Sequence, residues 1–324
     1  MAGSYAYNTT APAAGASNRE DLRQLSTILE PEKTPVSSMI KRTKATALYH
    51  EWTLDSLSDV DTSGVIEGTD VDAFADKFEN LDRVGNRVQK FRRTYKVSDW
   101  QETVESAAPV NIARAEMKAI KEIKRDIEAA ILSDNDRVVG SGSTAAKLRG
   151  LGDWLDSAGP SDVSTDYRTP AASLDTNGVS ITEIQFNDII QSLHNQSGEV
   201  NSLHAVLDSG LRSAVSQFTR TTGSTDTTHY AVNQNAEGKK MTLAVNIYDS
   251  DFGFVKILTS NPKCSVVPTV LDRGYIINPS YLALSDFASI RSKRLEDQGG
   301  GPRGYVDCSL TLECLSPLAH GKIS

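Results

Sequence analysis

The chain has 324 residues and carries 34 basic against 42 acidic side chains, a net charge of −8, with 39% hydrophobic and 23% charged residues. That composition is ordinary for a globular protein with a sizeable core, and the acidic balance argues against a chain whose main task is to grip duplex DNA. The three cysteines, Cys264, Cys308 and Cys314, form no CxxC pair and are odd in number, so buried free thiols are expected in place of a zinc site or a disulfide framework.

Met1 to Ala16 are small and polar, without the apolar stretch of a secretory leader. No run approaches the roughly 20 apolar residues of a membrane helix, so a protein made in a cytoplasm, with no membrane partner, is expected. Residues 1–18 read as an extended arm. Asn18 then caps a helix to Leu29, with Leu22, Leu25, Ile28 and Leu29 on one face, and Pro31 ends it.

Residues 44–105 read as a long two-stranded excursion. Leu48, His50, Trp52 and Leu54 alternate on one arm, and Phe91, Arg93, Tyr95 and Val97 on the return arm. Glu51 to Glu79 holds nine carboxylates and one lysine, whereas Arg83 to Lys96 holds Arg83, Arg87, Lys90, Arg92, Arg93, Lys96 and no acid. Such arms can pair with each other or with those of neighbouring copies. Residues 109–133 predict a helix of about 22 residues, roughly 33 Å long. Its stripe is Ala113, Met117, Ile120, Ile127 and Ile131, widened by Ile123 and Ala130.

Residues 134–179 are rich in glycine and loop-like. Ser180-Ile-Thr-Glu183 reads as a capping box opening a helix to about His194, with Ile184, Ile189, Ile190 and Leu193 inward. Asn201–Asp208 reads as a buried strand and Ser209–Phe218 as a short helix, which makes an α+β lobe. Beyond it Leu243, Val245 and Ile247 alternate, and Phe252, Phe254, Ile257 and Leu258 follow a turn at Asp249–Asp251. Val306, Cys308, Leu310, Leu312 and Cys314 form the clearest strand.

No motif of nucleophilic, metal or phosphate chemistry is present: GxSxG, HExxH, GxxxxGK[ST] and GxGxxG are all missing. Gly299-Gly300-Gly301-Pro302 lacks the lysine of a phosphate cradle and reads as a turn. His194 and His204 share a face of no regular element, and the carboxylates of 51–79 match no calcium-loop spacing. No catalytic, cofactor or metal residue is nominated. The basic run interleaves Phe91 and Tyr95, which suits base stacking, but it alternates like a strand beside an acidic partner. Contact between subunits is the better reading, with Glu51, Trp52, Asp55, Arg83, Arg87, Lys90, Arg92 and Arg93 as candidates.

The order of parts resembles the Hong Kong 97-type fold of tailed-phage and encapsulin shells. Three segments resemble one branch of tailed-bacteriophage major capsid proteins: Asp21 to Ile40, with its Thr34-Pro35; Ala45 to Leu57, with Glu51-Trp52; and Glu313 with Leu318-Ala319-His320-Gly321-Lys322-Ile323. The resemblance implies an N-terminal arm over 1–43 and an extended loop over 44–105. It implies a peripheral domain with the spine helix over 106–139 and 253–324, and an axial domain over 140–252. It further implies self-assembly through hexamers and pentamers into an icosahedral virion shell around double-stranded DNA, built in the host cytoplasm. Portal, decoration and separate scaffolding proteins would be partners. An encapsulin-like cargo compartment or another virion part is the alternative. The Lys–Asn crosslink with a nearby Glu, known in some members of the fold, finds no match here.

Overall fold

Strict alternation over the last long strand places five apolar side chains on one side of a sheet, and that face organises the first of two cores. In the computed structural model residues 33–104, 111–198, 202–218, 246–264 and 272–324 are described. The expected helix over Asn18–Leu29 and the strand positions Leu243 and Val245 lie outside them.

The elements up to the spine are α1 (Pro35–Met39), β1 (Lys41–Lys44), β2 (Tyr49–Leu54), β3 (Asp82–Arg87), β4 (Gln89–Lys96), α2 (Asp99–Thr103) and α3 (Ile112–Ile131). A second group follows: α4 (Leu151–Trp154), β5 (Leu174–Asp175), α5 (Glu183–Ser197), β6 (Leu203–Leu207), α6 (Ser209–Gln217), β7 (Ile247–Ser250) and β8 (Gly253–Thr259). The chain closes with β9 (Gly274–Ile277), β10 (Leu282–Leu295), β11 (Arg303–Cys314) and β12 (Gly321–Ile323).

Four strands form the first sheet in the order β1-β10-β11-β4, with β1 parallel to β10 and the other pairs antiparallel. Val306, Cys308, Leu310, Leu312 and Cys314 are buried on the face that α3 covers. The helix is capped by Asn111, whose side chain accepts the Arg114 N–H, and at 20 residues it is about 30 Å long. Its buried face is Ala119, Ile123, Ile127 and Ile131. Met117 is 60% exposed, against expectation. Six residues of helical rotation put it about 120° round the helix from Ile123, off the sheet.

Glu128 is buried on the same helix, and its two carboxylate oxygens accept the Val36 and Ser37 N–H groups at 2.8 Å each. It thereby caps α1 from a distance and fixes where the N-terminal arm leaves the spine. Burial pushes this carboxyl up, against those two N–H donors.

Six strands form the second sheet in the order β5-β12-β9-β6-β8-β7. Phe186, Ile189, Ile190 and Leu193 of α5 and Leu211 and Val215 of α6 pack on Leu203, Ala205, Leu207, Val255 and Ile276. The α5 capping box is Thr182 with Gln185, two residues beyond the expected one, because Gly178–Ser180 is already a tight 3-10 turn. The shift turns Ile184 outward, 73% exposed, and Phe186 inward. β8, β9 and β12 belong to this sheet, so the second core draws on residues beyond 252. β9 joins the two cores: Tyr275 and Ile277 face the first and Ile276 the second.

All three cysteines are free and buried, and burial pushes the Cys264 and Cys308 thiols up to about 12. His320 is fully buried too, and its Nδ1 accepts the Asn278 N–H at 3.1 Å. Desolvation draws its pKa down to about 3. The glycine run after β10 is a hairpin turn. Asp297 Oδ1 accepts the N–H groups of Gly299, Gly300 and Gly301 at 3.0–3.1 Å, filling the cradle with the chain's own carboxylate.

Candidate assembly surfaces

The excursion expected from the sequence is present, with a different return strand. β2 pairs with β3, from Tyr49↔Arg87 to Leu54↔Asp82. β4, the expected return arm, pairs with β11 instead, from Lys96↔Arg303 to Gln89↔Leu310. The cause is burial: Phe91 and Tyr95 contribute to the α3 core, which holds β4 in the first sheet. The chain passes from hairpin to sheet at Val88, whose N–H donates to Leu48 O at 3.0 Å.

A socket of polar and aromatic groups holds the hairpin base. Trp52 Nε1 donates to Cys314 O at 3.0 Å, and its ring leans on Trp154 at 5.7 Å. Asn86 is fully buried. Its Nδ2 donates to Arg149 O at 3.1 Å and Leu312 O at 2.8 Å, while Oδ1 accepts the Arg87 and Arg149 N–H groups at 2.8 Å each. One side chain therefore links the hairpin, the 132–168 loop and β11. The Arg149 guanidinium, itself buried, donates to Asp136 and Asp162 at 2.8 Å and lies over Trp154. Burial alone would raise Asp136, but Arg149 beside it holds that carboxyl below its usual range. Arg137 donates to Gly85 O at 3.0 Å and to the Tyr49 hydroxyl. The sequence reading missed this socket. Its one local signal is Val84-Gly85-Asn86, where three consecutive buried residues break strand alternation.

Beyond the socket, every residue from Asp55 to Leu81 is exposed. This loop carries Asp55, Asp59, Asp61, Glu67, Asp70, Asp72, Asp76 and Glu79 against Lys77 alone. It also presents large apolar side chains to solvent: Leu57 is 96% exposed, Phe74 89%, and Val60, Val65, Ile66 and Phe78 are comparable. Its described backbone bonds are two turn contacts, Thr69 N–H to Ile66 O and Leu81 N–H to Phe78 O. A run of exposed apolar residues on an otherwise soluble chain marks a surface meant to be covered.

The eight candidates divide between these regions. Glu51 and Arg83 form an ion pair across the hairpin. Trp52 sits in the socket, and Arg87 lies over the Tyr49 ring at 4.7 Å. Asp55 stands at the start of the exposed loop. Lys90, Arg92 and Arg93 are on β4. Arg93 binds Asp126 of α3 with two bonds, at 2.6 and 2.7 Å. Lys90 and Arg92 approach Asp307 at 3.6 Å, and Arg291 donates to it at 2.8 Å. The Arg291 guanidinium holds the Asp307 carboxyl below its usual range. Within one chain the acidic and basic runs thus meet through Glu51 and Arg83, and most of the basic run answers acids far away in sequence. Among the described residues no group of three His, Cys, Asp or Glu side chains is placed to hold a metal ion. No described helix is long and apolar enough to cross a membrane.

The chain matches the SU10 major capsid protein family over residues 3–324. Among solved structures it is similar to the capsid of the native GTA particle, with a TM-score of 0.62 at 13% identity, covering 98% of both chains. It is similar to the capsid of cyanophage P-SCSP1u, with a TM-score of 0.58 at 10% identity, covering 98% of this chain and 95% of that one. Mycobacterium phage Bobi gives a TM-score of 0.57 at 9% identity, covering 98% of both. A search of curated proteins finds no match. At these identities the structures establish the shared fold, and the family match establishes the kinship. With its spine helix, two α+β cores and a loop exposed as only a lattice can cover, the chain belongs to the SU10 major capsid protein family: a phage head-shell protein with the Hong Kong 97-like fold.

Proposed function

We propose that the chain builds its shell from hexamers and pentamers around double-stranded DNA, and that the loop 55–81 is the part each copy lays on a neighbour. The observation that carries this reading is the exposure of Leu57, Val60, Val65, Ile66, Phe74 and Phe78 on a loop with no core of its own. Covering each is worth about 1.5–3 kcal/mol before the cost of ordering the loop. That is enough in sum to hold subunits and too little per contact to trap misplaced ones. Asp55 and the other loop carboxylates then set where the apolar side chains land. The socket around Asn86 and Trp52 aims the hairpin, so Glu51, Trp52, Arg83 and Arg87 serve the contact from beneath it. The role is structural and includes no catalytic step. Assembly in the host cytoplasm, with a portal and a separate scaffolding protein, and with decoration proteins on the finished shell, completes the reading. The experiment is to replace residues 57–79 with a short Gly-Ser linker: folded protein and no shells are expected, and normal shells would overturn the reading.

A further inference from the structure

The first sheet has an uncovered face opposite α3. Strand alternation and register place Lys90, Arg92 and Lys96 of β4 on it, with Arg291 and Lys293 of β10 and Arg303 of β11. Asp307 is the one carboxylate among them, and its side chain is only 2% exposed beneath its partners. This is a strongly basic face on a chain of net charge −8.

The same face ends at an open edge. β1 covers β10 only from Ala283 to Asp286, and Ala45 N–H closes that ladder on Asp286 O. Among the described residues no strand pairs with that edge from Phe287 to Leu295. Phe287 and Leu295 are both 44% exposed there.

We infer that the acidic loop of a second copy docks on this basic face, along the open edge of β10. The inference rests on the proposed role of the loop and names its landing site. Charge is the first argument: the loop holds eight carboxylates and one lysine, and the face holds six cations and one buried carboxylate. Pattern is the second. Over Thr69–Asp76 the residues Asp70, Asp72 and Asp76 share one side of an extended chain with Phe74, while Val71, Ala73 and Ala75 share the other. An extended segment of that kind meets both the cations and the unpaired edge groups of β10. Phe287 and Leu295 give the loop's apolar residues a partner, which a nucleic-acid phosphate backbone would not use.

Position is the third argument. The loop leaves the sheet at the end where Gln89 faces Leu310, while the open edge runs toward the end where Leu295, Arg303 and Lys96 face one another. One copy's loop therefore points away from its own docking site. The contact is head to tail, the kind that closes into rings when the rotation allows.

The test is a charge exchange in the full chain. One variant carries Arg291→Gln with Lys293→Glu, a second carries Asp70→Lys with Asp72→Lys, and a third carries all four. Shell yield is read by sedimentation and electron microscopy, and folding by thermal unfolding of the soluble fraction. Each pair alone is expected to cut shell yield about tenfold, a change equivalent to about 1.4 kcal/mol, and the combination to restore most of it. Loop variants that fail while edge variants assemble normally would place the landing site elsewhere and leave the loop's proposed role intact. Normal assembly by both pairs would overturn both ideas. Edge variants that form full-yield shells holding less DNA would assign the face to nucleic acid and overturn the inference. Should the edge variants misfold, Lys293→Cys with Asp72→Cys gives a second reading. Oxidised shells should show disulfide-linked multimers on a non-reducing gel that neither single substitution gives, the native thiols being buried; their absence overturns the inference.

Discussion

Substituting Asn86 by alanine tests how the hairpin is aimed. The side chain is fully buried, and its removal strips a partner from the Arg149 N–H, the Arg149 carbonyl and the Leu312 carbonyl, with the adjacent Arg87 N–H as a fourth. A buried polar group left without a partner costs about 1–3 kcal/mol, and the terms do not add fully in one network, so a total of about 3–5 kcal/mol is expected. Urea unfolding, followed by tryptophan fluorescence in a background lacking residues 57–79, isolates the term from assembly. The midpoint should fall with little change of slope. Asn86→Asp should be at least as damaging, since it keeps the acceptor, loses both donors and buries a charge. A loss under about 1 kcal/mol for Asn86→Ala would refute the reasoning, because it would mean that the socket closes over the gap.

Two other outcomes follow from buried titratable groups. His320 has a folded pKa drawn down to about 3, so between about pH 6.5 and that value the unfolded chain holds a proton that the folded one refuses. The stability this histidine lends is present above its unfolded pKa and is lost as pH falls, by about 1.4 kcal/mol per pH unit. His320→Asn should flatten that part of the pH-stability curve relative to the parent, and two parallel curves would contradict the account. The buried thiols, two of them pushed up to about 12, should be inert to a thiol reagent at pH 8 in the folded protein. All three should react in denaturant; a fast-reacting native thiol would contradict their burial.

Some of this architecture was legible in the sequence for definite reasons. The Val306–Cys314 alternation could be read because one face of β11 meets α3 and the other meets charged or polar neighbours, so period two survives. α3 was legible from its stripe, although the stripe missed the rotation that exposes Met117. β3 was hidden, since Val84, Gly85 and Asn86 are all buried and a strand enclosed on both faces shows no alternation. The partners of the basic run were misjudged by proximity. The nearest acids in sequence are those of the loop, but Arg92 and Lys90 meet Asp307 and Arg93 meets Asp126. Reversing Arg92 and Arg93 therefore breaks ion pairs inside one subunit and is a poor probe of contacts between subunits. In the loop the carboxylates drew the eye, while the unpartnered Leu57, Ile66, Phe74 and Phe78 show no period and became evident only when the fold left them uncovered.

The most direct test of the central claim is the assembly state of the chain with residues 57–79 replaced by a short Gly-Ser linker. Sedimentation velocity and negative-stain microscopy would be run beside the parent under conditions where the parent forms shells. The account predicts a folded subunit, with an unfolding transition close to the parent's, that stays small at every concentration. Shells of normal size and yield from the loop-replaced chain would contradict it.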